Sequence, residues 1–405
     1  MGRGNETIQL LETIRSIDTL RVDGKRVFCR VDLNVPLSAD GRITDDSRIK
    51  AALPSIQYLR ERGAKVILAS HLGRPNGQPN SEMSLEPVGA YLAEVLKTEV
   101  TLPESCVGRS ASSVVNNSRE GDVILLENLR FHPGEKSGDA DFARELASLA
   151  DVYVNDAFGT CHRSHASMVA VPSQFKEKAA GFLLQKELKY LGDLLRAPKR
   201  PFLAILGGAK VSDKIEVIRS LMKTSDEIII GGAMAYTFLT ALGHDMGRSL
   251  IEKERVQLAE KILKIANDEK VQIHLPVDHV VADDFSESAT VKTARNGEVE
   301  PDWMGMDIGP QTIQVFQECI DRASTILWNG PMGVFEMSPF AEGTNAIARA
   351  VSRSGGTTVV GGGDSVSAVK KAGVEPFISH LSTGGGASLN FLEGKVLPGV
   401  EALAS

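Results

Sequence analysis

The feature that most constrains the fold is a repeating order of short apolar runs and longer amphipathic stretches along the chain. Turn residues and a helical pattern follow most of the runs, as in residues 46–63 and 253–270. The apolar runs are residues 25–35, 64–74, 122–131, 151–159, 200–210, 226–234, 272–281, 325–333 and 357–365. Runs that are apolar on both faces indicate strands buried under helices, and their alternation with helices predicts parallel sheets.

The length of the chain, 405 residues, predicts more than one domain, because single hydrophobic cores rarely grow that large. An amphipathic stretch near the middle ends at Pro198 and Pro201 and divides the chain. We predict an α/β protein of two doubly wound, Rossmann-like parallel-sheet domains joined by a helix and a hinge. The predicted parts are an N-terminal domain at 1–182, an interdomain helix at 183–199, a C-terminal domain at 200–390 and a C-terminal segment at 391–405. The sequence leaves open whether that last segment returns to the N-terminal domain.

Composition and charge exclude several classes of protein. The net charge of −7 argues against a nucleic-acid surface as the main function. The cysteines lie far apart without a C-x-x-C pair, which argues against disulfide and zinc frameworks and fits a reducing compartment; they are Cys29, Cys106, Cys161 and Cys319. The sequence shows no signal peptide, transit pattern or apolar run of transmembrane length. We therefore expect a cytoplasmic protein with no membrane partner.

The ends of the predicted strands differ between the two halves of the chain. In open parallel sheets, ligands bind at the carboxyl ends of the strands. First-half strand ends carry polar and cationic side chains: Asp32, Asn34, Arg48, His71, Arg74, Arg130, His162 and Arg163. Arginine forks bind phosphate and carboxylate in a bidentate manner, so the set predicts a site for a small, multiply anionic ligand such as a phosphorylated acid. For each arginine alone, a solvated surface charge is the alternative.

The decapeptide "GTCHRSHASM" at residues 159–168 raises several chemical possibilities. His162 and His165 have a spacing that suits a metal on a helix, but no third Cys or His lies nearby and H-E-x-x-H is missing. Cys161 as a nucleophile is not required if the site supplies charge alone. A structural role stays open for His165. The interpretation that fits the neighbouring strand ends is that His162 and Arg163 hold an anion.

Glycine-rich segments end the strands of the second half. "GGAKVSDK" at 207–214 places two lysines, Lys210 and Lys214, four apart at a predicted helix start and hence on one face. "GGGDS" at 361–365 and "TGGGAS" at 383–388 repeat the pattern, and helix N-termini lined by glycine bind phosphate. These clusters together favour a nucleotide, with Asp364 as a candidate Mg²⁺ ligand. The alternative is that the glycines only make tight turns. Neither the P-loop nor the G-x-G-x-x-G signature is present.

Taken together, the motifs resemble those of the phosphoglycerate kinase family, in that family's order. They are "RVDLNVP", "HLGRP", "ENLRF", "NDAFGTCHRSHASM", "GGAKVSDK", "WNGPMGVFE", "GGGDS" and "STGGGAS". The resemblance extends from about Asp18 to the C-terminus. The departures are an N-terminal extension of several residues and Cys161 at a variable place of its loop.

The resemblance implies reversible phosphoryl transfer between MgATP and the carboxylate of 3-phosphoglycerate, a step of glycolysis, by a monomer that closes at a hinge. It implies that phosphoglycerate is held by Asp32, Asn34, Arg48, His71, Arg74, Arg130, His162 and Arg163. It implies that the nucleotide is held by Lys210, Lys214, Gly305, Glu336, Gly362, Gly363, Asp364 and Ser365. In that family Glu336 reaches the ribose hydroxyls and Asp364 the magnesium ion. We expect Arg48, Lys210 and Lys214 to be the catalytic residues, because a carboxylate nucleophile needs positioning and cations rather than a general base.

Two other functions are weighed against this one. A nicotinamide-dependent dehydrogenase acting on a phosphorylated acid is expected to show G-x-G-x-x-G after a strand, which this chain lacks. A catalytically inactive sugar-phosphate-sensing binding protein on the same fold is expected to lose Arg48, Lys214 or Asp364, and all three are present.

Overall fold

The structure, a computed structural model, describes residues 10–404 and divides the chain into two compact units. One unit ends at Lys189 and takes up the chain again at Lys395, and the other is Tyr190–Gly394. The domain bounds given above stay a prediction. Residues 1–9 and 405, which the prediction assigns to the first domain and to the C-terminal segment, lie outside the described residues.

The first unit is built on a six-stranded sheet in the order β3-β4-β2-β1-β5-β6. Its strands are β1 (Arg26–Val31), β2 (Lys65–Ala69), β3 (Val100–Thr101), β4 (Val123–Leu125), β5 (Val152–Asp156) and β6 (Lys178–Ala180). All the pairings are parallel, so the carboxyl ends of the strands meet at one edge. The chain proceeds from β1 to β2 on one side and through β5 to β6 on the other. A topological switch point therefore lies between β1 and β5, where ligands bind in such sheets.

Helices cover this sheet because their apolar residues recur on one face. In the helix Ser47–Glu61, Ile49, Ala52, Ile56 and Leu59 are fully buried, with the spacing of one helical stripe. The α-helices of this unit include Ser47–Glu61, Glu86–Leu96, Gly108–Asn117, Pro133–Ser137, Ala140–Ser148 and Pro398–Glu401, and Phe182–Arg196 continues into the second unit.

The second unit contains a second six-stranded parallel sheet, in the order β15-β14-β13-β7-β8-β9. Its strands are β7 (Phe202–Leu206), β8 (Glu227–Ile230), β9 (Gln272–His274), β13 (Thr325–Asn329), β14 (Thr357–Gly361) and β15 (His380–Leu381). Its helices are Ile215–Leu221, Met234–Ala241, Val256–Asp268, Pro310–Arg322, Glu342–Arg353, Gly363–Lys371 and Gly386–Leu392. The predicted α/β class with parallel sheets is confirmed.

A three-stranded antiparallel sheet in the second unit was not predicted. It has the order β11-β10-β12 and consists of β10 (Asp278–Ala282), β11 (Val291–Arg295) and β12 (Met304–Ile308). The prediction of one strand over 272–281 was wrong, since the chain leaves β9 at His274 and enters β10 at Asp278. Pro276 stands between them, and proline cannot donate to a strand ladder.

Candidate active site

Polar and cationic side chains gather at the carboxyl ends of the strands of the first unit. Asp32 and Asn34 follow β1, His71 and Arg74 follow β2, Arg130 lies in the turn after β4, His162 and Arg163 follow β5, and Arg48 lies in the first turn of the helix Ser47–Glu61. We call these eight residues the basic rim. They lie at the carboxyl edge of the sheet, where the sequence predicts a ligand site, and this edge includes the switch point between β1 and β5.

Contacts inside the basic rim hold part of it in place. Arg48 forms an ion pair with Asp32, whose carboxylate is almost fully buried. The backbone N–H of Gly73 donates to Asn34 Oδ1 at 2.8 Å, and Arg130 Nη1 donates to the carbonyl of Gly73 at 2.6 Å. The turn that carries His71 and Arg74 is therefore fixed from both sides.

Several nitrogen atoms of the basic rim have no partner. Arg130 Nε, Arg163 Nη1 and His162 Nδ1 are buried, and the described part of the chain offers them no hydrogen-bond acceptor or donor. Buried polar groups without partners cost free energy, and most proteins contain few of them. Two guanidinium donors left unpaired in one cluster indicate a place for an acceptor from outside the chain.

The pKa values of two arginines in the basic rim are lowered, which indicates an excess of positive charge there. Burial, with Arg163 and Arg30 close by, lowers the pKa of Arg130 to about 10. Burial also lowers the pKa of Arg163, and Asp32 only partly offsets this. The shifts share one direction because the cations are desolvated near one another. An anion bound among them would supply the compensating charge.

The structure gives the surroundings of the decapeptide residues whose roles the sequence leaves open. Cys161 is fully buried, and burial raises the pKa of its thiol to about 12, so it presents no thiolate nucleophile. Burial and nearby arginines lower the pKa of His165 to about 4, and its Nδ1 lies 3.7 Å from the buried carboxylate of Glu135. In the described residues, no group of three or more metal-ligating side chains includes His162 or His165.

A cleft of about 340 Å³ opens in the second unit where β7, β13 and β14 end. Its lining comprises Gly207, Gly208, Ala209, Lys210, Asp213, Lys214, Asn329, Gly330, Pro331, Gly362, Gly363, Asp364, Ser365, Gly385 and Leu389. The volume suits a small-molecule ligand. The structure thus brings together six of the residues assigned to the nucleotide from the sequence.

Glycine is required at this cleft because two loops approach each other backbone to backbone. A Cβ on Gly207 would lie 2.0 Å from the carbonyl oxygen of Pro331, and one on Gly330 would lie 2.2 Å from the carbonyl oxygen of Gly207. The loops follow β7 and β13, which are neighbours in the sheet. The glycines therefore do more than turn the chain, since they leave bare backbone along the cleft.

Lys214 is the partly buried cation of the cleft. Its ammonium group donates to Asn329 Oδ1, and burial lowers its pKa to about 8 although Asp213 and Asp364 oppose the shift. Lys210 is exposed in the preceding loop. The prediction that both lysines share one helical face was wrong, because the helix Ile215–Leu221 begins after Lys214. They meet at the cleft through the loop instead.

Gly305 and Glu336 stand apart from the cleft lining. Gly305 lies in β12, where a Cβ would be 2.3 Å from the ring of Tyr236. Glu336 is exposed in the loop after β13, and the N–H of Val334 in that loop donates to the carbonyl of Met306 at 2.9 Å. The two residues thus lie on adjacent segments, although the antiparallel sheet that joins them was not predicted.

In the part of the chain that the structure describes, two places offer donors for a metal ion. In the cleft, Asp364 and Asp213 provide exposed carboxylates, a donor set that fits Mg²⁺ when phosphate oxygens complete the coordination. Elsewhere, Glu227, His274 and Cys319 place their donor atoms within 4.8 Å of one another. There Arg322 already forms an ion pair with Glu227 and donates to Cys319 Sγ at 3.1 Å, so a cation occupies the position.

Comparison with known proteins shows the family of the chain. The model of the family described as phosphoglycerate kinase matches residues 17–395. The chain belongs to the phosphoglycerate kinase family. A phosphoglycerate kinase of Anaeromyxobacter sp. (strain K) is 53% identical over 391 residues, which is 96% of this chain and 99% of that protein. One of Prochlorococcus marinus (strain MIT 9515) is 52% identical over 395 residues, 96% of this chain and 98% of the relative.

Solved structures give the same result. The phosphoglycerate kinase of Coxiella burnetii has a TM-score of 0.89 and 40% identity and covers 97% of this chain and 100% of its own. The phosphoglycerate kinase of Pyrococcus horikoshii OT3 has a TM-score of 0.84 and 35% identity. The match covers 96% of this chain and 98% of that one. The chain is accordingly an enzyme, a phosphotransferase of the kinase type. Within the described residues, no helix is long and apolar enough to cross a membrane.

Several residues at these sites were missed in the sequence. Asn329 and Asp213 line the cleft. The sequence could have indicated them, because Asn329 ends a strand in "WNGPMG" and Asp213 lies beyond a strand end in "GGAKVSDK". Arg30 lies inside β1 and faces the basic rim, but it was counted as part of an apolar run. Neither periodicity nor spacing separates such a residue from a surface arginine.

Proposed function

We propose that this chain catalyses the reversible, Mg²⁺-dependent transfer of a phosphoryl group between ATP and the carboxylate of 3-phosphoglycerate. The observation that carries the proposal is the pair of buried guanidinium donors, Arg130 Nε and Arg163 Nη1, left without partners in the basic rim. Such donors fit the phosphate and carboxylate oxygens of this substrate.

The residues of the basic rim receive binding, positioning or catalytic roles in this proposal. Arg74, Arg130, His162 and Arg163 offer donors to phosphate oxygens, and His71 and Asn34 offer polar contacts to the rest of the ligand. Asp32 orients Arg48 through their ion pair. The alternative, a sugar-phosphate-sensing protein without catalysis, needs no cation poised for transfer.

The cleft of the second unit receives the nucleotide phosphates. Lys210 and Lys214 supply charge, and the backbone N–H groups from Gly362 to Ser365 begin the helix Gly363–Lys371, whose N-terminus favours anions. A side chain at Gly305 would collide with Tyr236, so only backbone lies at this position of the proposed nucleotide site, and Glu336 accepts from ribose hydroxyls. Asp364, with Asp213 beside it in the cleft, would hold Mg²⁺, which neutralises phosphate charge when bound.

The chemistry needs no proton transfer. A carboxylate oxygen of 3-phosphoglycerate attacks the γ-phosphorus, the bond from that phosphorus to the ADP oxygen breaks, and ADP leaves with the electron pair. The nucleophile is already ionised at neutral pH. Arg48, Lys210 and Lys214 contribute positive charge while the phosphoryl group is in transit. The proposal includes a monomeric, cytoplasmic enzyme, and light scattering of the purified chain tests the monomer.

An assay of the whole reaction tests this function. The purified chain should consume ATP only when both 3-phosphoglycerate and Mg²⁺ are present, and should form ADP in a ratio of one to one with the acyl phosphate. Binding of 3-phosphoglycerate without any turnover would instead support the sensing protein.

Replacement of Asp364 by alanine tests the metal ligand. We expect the Mg²⁺ concentration needed for half-maximal rate to rise, while the Kd of 3-phosphoglycerate stays the same, because Asp364 lies in the cleft and not in the basic rim. Asp268→Ala, at an exposed helix end, is the matched control. A magnesium requirement unchanged from the wild-type value would assign the ion to other residues.

Replacement of Arg163 by alanine tests the anion site. The Kd of 3-phosphoglycerate should rise by an amount equivalent to about 1.5–3 kcal/mol, the range for a hydrogen bond to a charged group. Cys161→Ser should leave that Kd unchanged, and Arg144→Ala, in an exposed ion pair, controls for loss of an arginine. Calorimetry measures all three, and equal affinities for Arg163→Ala and Arg144→Ala would remove Arg163 from the site.

A further inference from the structure

Arg30 is a charged residue in the interior of a buried strand. It lies in β1, and none of its surface is exposed. Burial of a charge is costly unless the charge is paired and hydrogen-bonded. Its Nε donates to Ser167 Oγ at 2.9 Å, one terminal nitrogen donates to the carbonyl of Val31, and the other lies 3.3 Å from Nδ1 of His71.

Ser167 connects Arg30 to a buried carboxylate. Its Oγ donates to Glu135 Oε1 at 2.6 Å, its N–H donates to Glu135 Oε2 at 2.9 Å, and Glu135 is fully buried. A hydroxyl has one proton to donate, so Ser167 accepts from Arg30 and donates to Glu135. The positive charge on Arg30 is thereby balanced through Ser167, a residue of the decapeptide for which the binding roles give no use.

The contact with Arg30 determines the protonation of His71. A guanidinium group has no acceptor, so the Nδ1 that it faces must accept the hydrogen bond, and the single proton of a neutral ring then lies on Nε2. The carboxylate of Asp32 also faces this ring, but its Oδ1 is 3.9 Å from Nδ1 and its Oδ2 accepts from Arg48. That distance is too long for a hydrogen bond.

The charges around His71 act in the same direction. Burial, followed by Arg30, Arg130, Arg163 and Arg48, holds the pKa of His71 well below its ordinary value, and Asp32 is the acid that faces it. The imidazole is therefore neutral at physiological pH. The basic rim already contains four arginines, so a further charge from His71 is not needed.

We propose that Arg30, held by Ser167 and Glu135, is a positioning residue that fixes His71 as the neutral tautomer with its proton on Nε2. His71 then offers the phosphoglycerate one directed N–H donor, aimed at an acceptor oxygen, in place of a mobile charge. The inference rests on the proposed binding role of His71, but the protonation state itself does not depend on any ligand.

Nuclear magnetic resonance of the ligand-free full chain tests the tautomer directly. With ¹⁵N-labelled histidine, correlations between ring nitrogens and ring protons distinguish the two neutral forms, and His71→Gln identifies the signal among the eight histidines. We expect a proton on Nε2 and no titration between about pH 5.5 and 8, since the ordinary pKa is about 6.5. A proton on Nδ1, or an imidazolium at pH 6.5, overturns the proposal. Failure of 3-phosphoglycerate to bind would overturn the proposed function and leave this result standing.

Variants of the network test its consequence for binding. Arg30→Met should remove the preference of the neutral His71 ring for a proton on Nε2, while burial and the remaining arginines still disfavour the imidazolium. The Kd of 3-phosphoglycerate should rise about tenfold, the equivalent of one hydrogen bond to a charged group, with kcat changed less. Arg30→Lys, which keeps a charge and a donor, should restore the proton on Nε2 and part of the affinity. Arg26→Met, in an ion pair at the start of the same strand, is the matched control.

The pH dependence separates positioning from general loss of structure. The phosphate of the ligand titrates near pH 6, but this affects wild type and variant alike. The ratio of the variant Kd to the wild-type Kd should therefore stay constant across pH if only the tautomer of His71 has changed. If Arg30→Met does not fold, Ser167→Ala removes only the Nε acceptor and should raise the Kd about two- to threefold, part of the loss of one hydrogen bond. The role of Arg30 is rejected if Arg30→Met and Arg26→Met change the Kd of 3-phosphoglycerate by the same factor at every pH and the tautomer of His71 is unchanged.

Discussion

Replacement of Arg48 by alanine is expected to lower kcat by about 10²–10³-fold, the usual effect of removing one preorganised charge-stabilising donor. Arg48 lies in the first turn of the helix Ser47–Glu61, and its guanidinium is held by the buried carboxylate of Asp32 while its side chain stays 36% exposed. An arginine that is anchored at one end and open at the other can contact a phosphoryl group in transit. The KM for 3-phosphoglycerate should change much less than kcat, since the contact forms mainly in the transition state.

Companion variants make the Arg48 result specific. Arg48→Lys should recover only part of the rate, because an ammonium group cannot reproduce the planar fork. Lys50→Ala removes an exposed cation from the same helix and should leave kcat unchanged. Steady-state kinetics at saturating MgATP gives both constants. A large increase in KM with kcat preserved would make Arg48 an ordinary binding residue and leave catalysis to Lys210 and Lys214.

The positions of the basic rim could be predicted because they follow from topology. Parallel strands place their carboxyl ends at one edge, so residues far apart in sequence, such as Asn34 and Arg130, reach the same turn at Gly73. The glycine pairs of the second half were predicted as a phosphate-binding pattern. The reason for them, a close approach of the loops at Gly207 and Gly330, depends on two strands being neighbours in the sheet.

Other features could not be predicted, because they depend on burial and on partners distant in sequence. The partners of Arg30 are Ser167, 137 residues away, and His71, 41 residues away, and nothing local marks Arg30 as buried. The sheet β11-β10-β12 was missed because β11 mixes exposed and buried residues without a clear alternation. Lys210 and Lys214 meet by way of a loop, so helical spacing gave the wrong reason for their proximity.

Replacement of Lys214 by methionine is expected to lower kcat by at least about 10²-fold while leaving the ligand-free protein as stable as wild type or more stable. The loss of rate follows from removing a cation that lies among the phosphate-binding groups of the cleft. The stability follows from burial, which lowers the pKa of Lys214 to about 8 and so disfavours its charged form in the fold. The hydrogen bond to Asn329 offsets only part of that cost.

The pH dependence of stability shows, independently of activity, whether the charge on Lys214 stabilises or destabilises the fold. In the unfolded chain lysine has a pKa of about 10.4, so between about pH 8 and 10.4 the unfolded state binds a proton that the folded state has released. The unfavourable contribution of Lys214 is fully present below pH 8, and the free energy of unfolding should rise as pH increases through this window. The Lys214→Met protein should lack that part of the rise, whereas Lys210→Met, at an exposed loop position, should retain it.

Urea denaturation at pH 7 and at pH 9.5 measures these differences without substrate, and steady-state kinetics measures the rate. Bound nucleotide should reverse the pKa shift, because phosphate favours the ammonium form, so saturating MgADP should stabilise wild type more than Lys214→Met at pH 7. A Lys214→Met protein that is less stable than wild type at pH 7 and equally active would make this lysine a structural residue, whose charge is satisfied by Asn329 and the nearby aspartates. The opposite pair of results, higher stability with lost turnover, would show that the charge on Lys214 destabilises the fold and serves to bind the nucleotide.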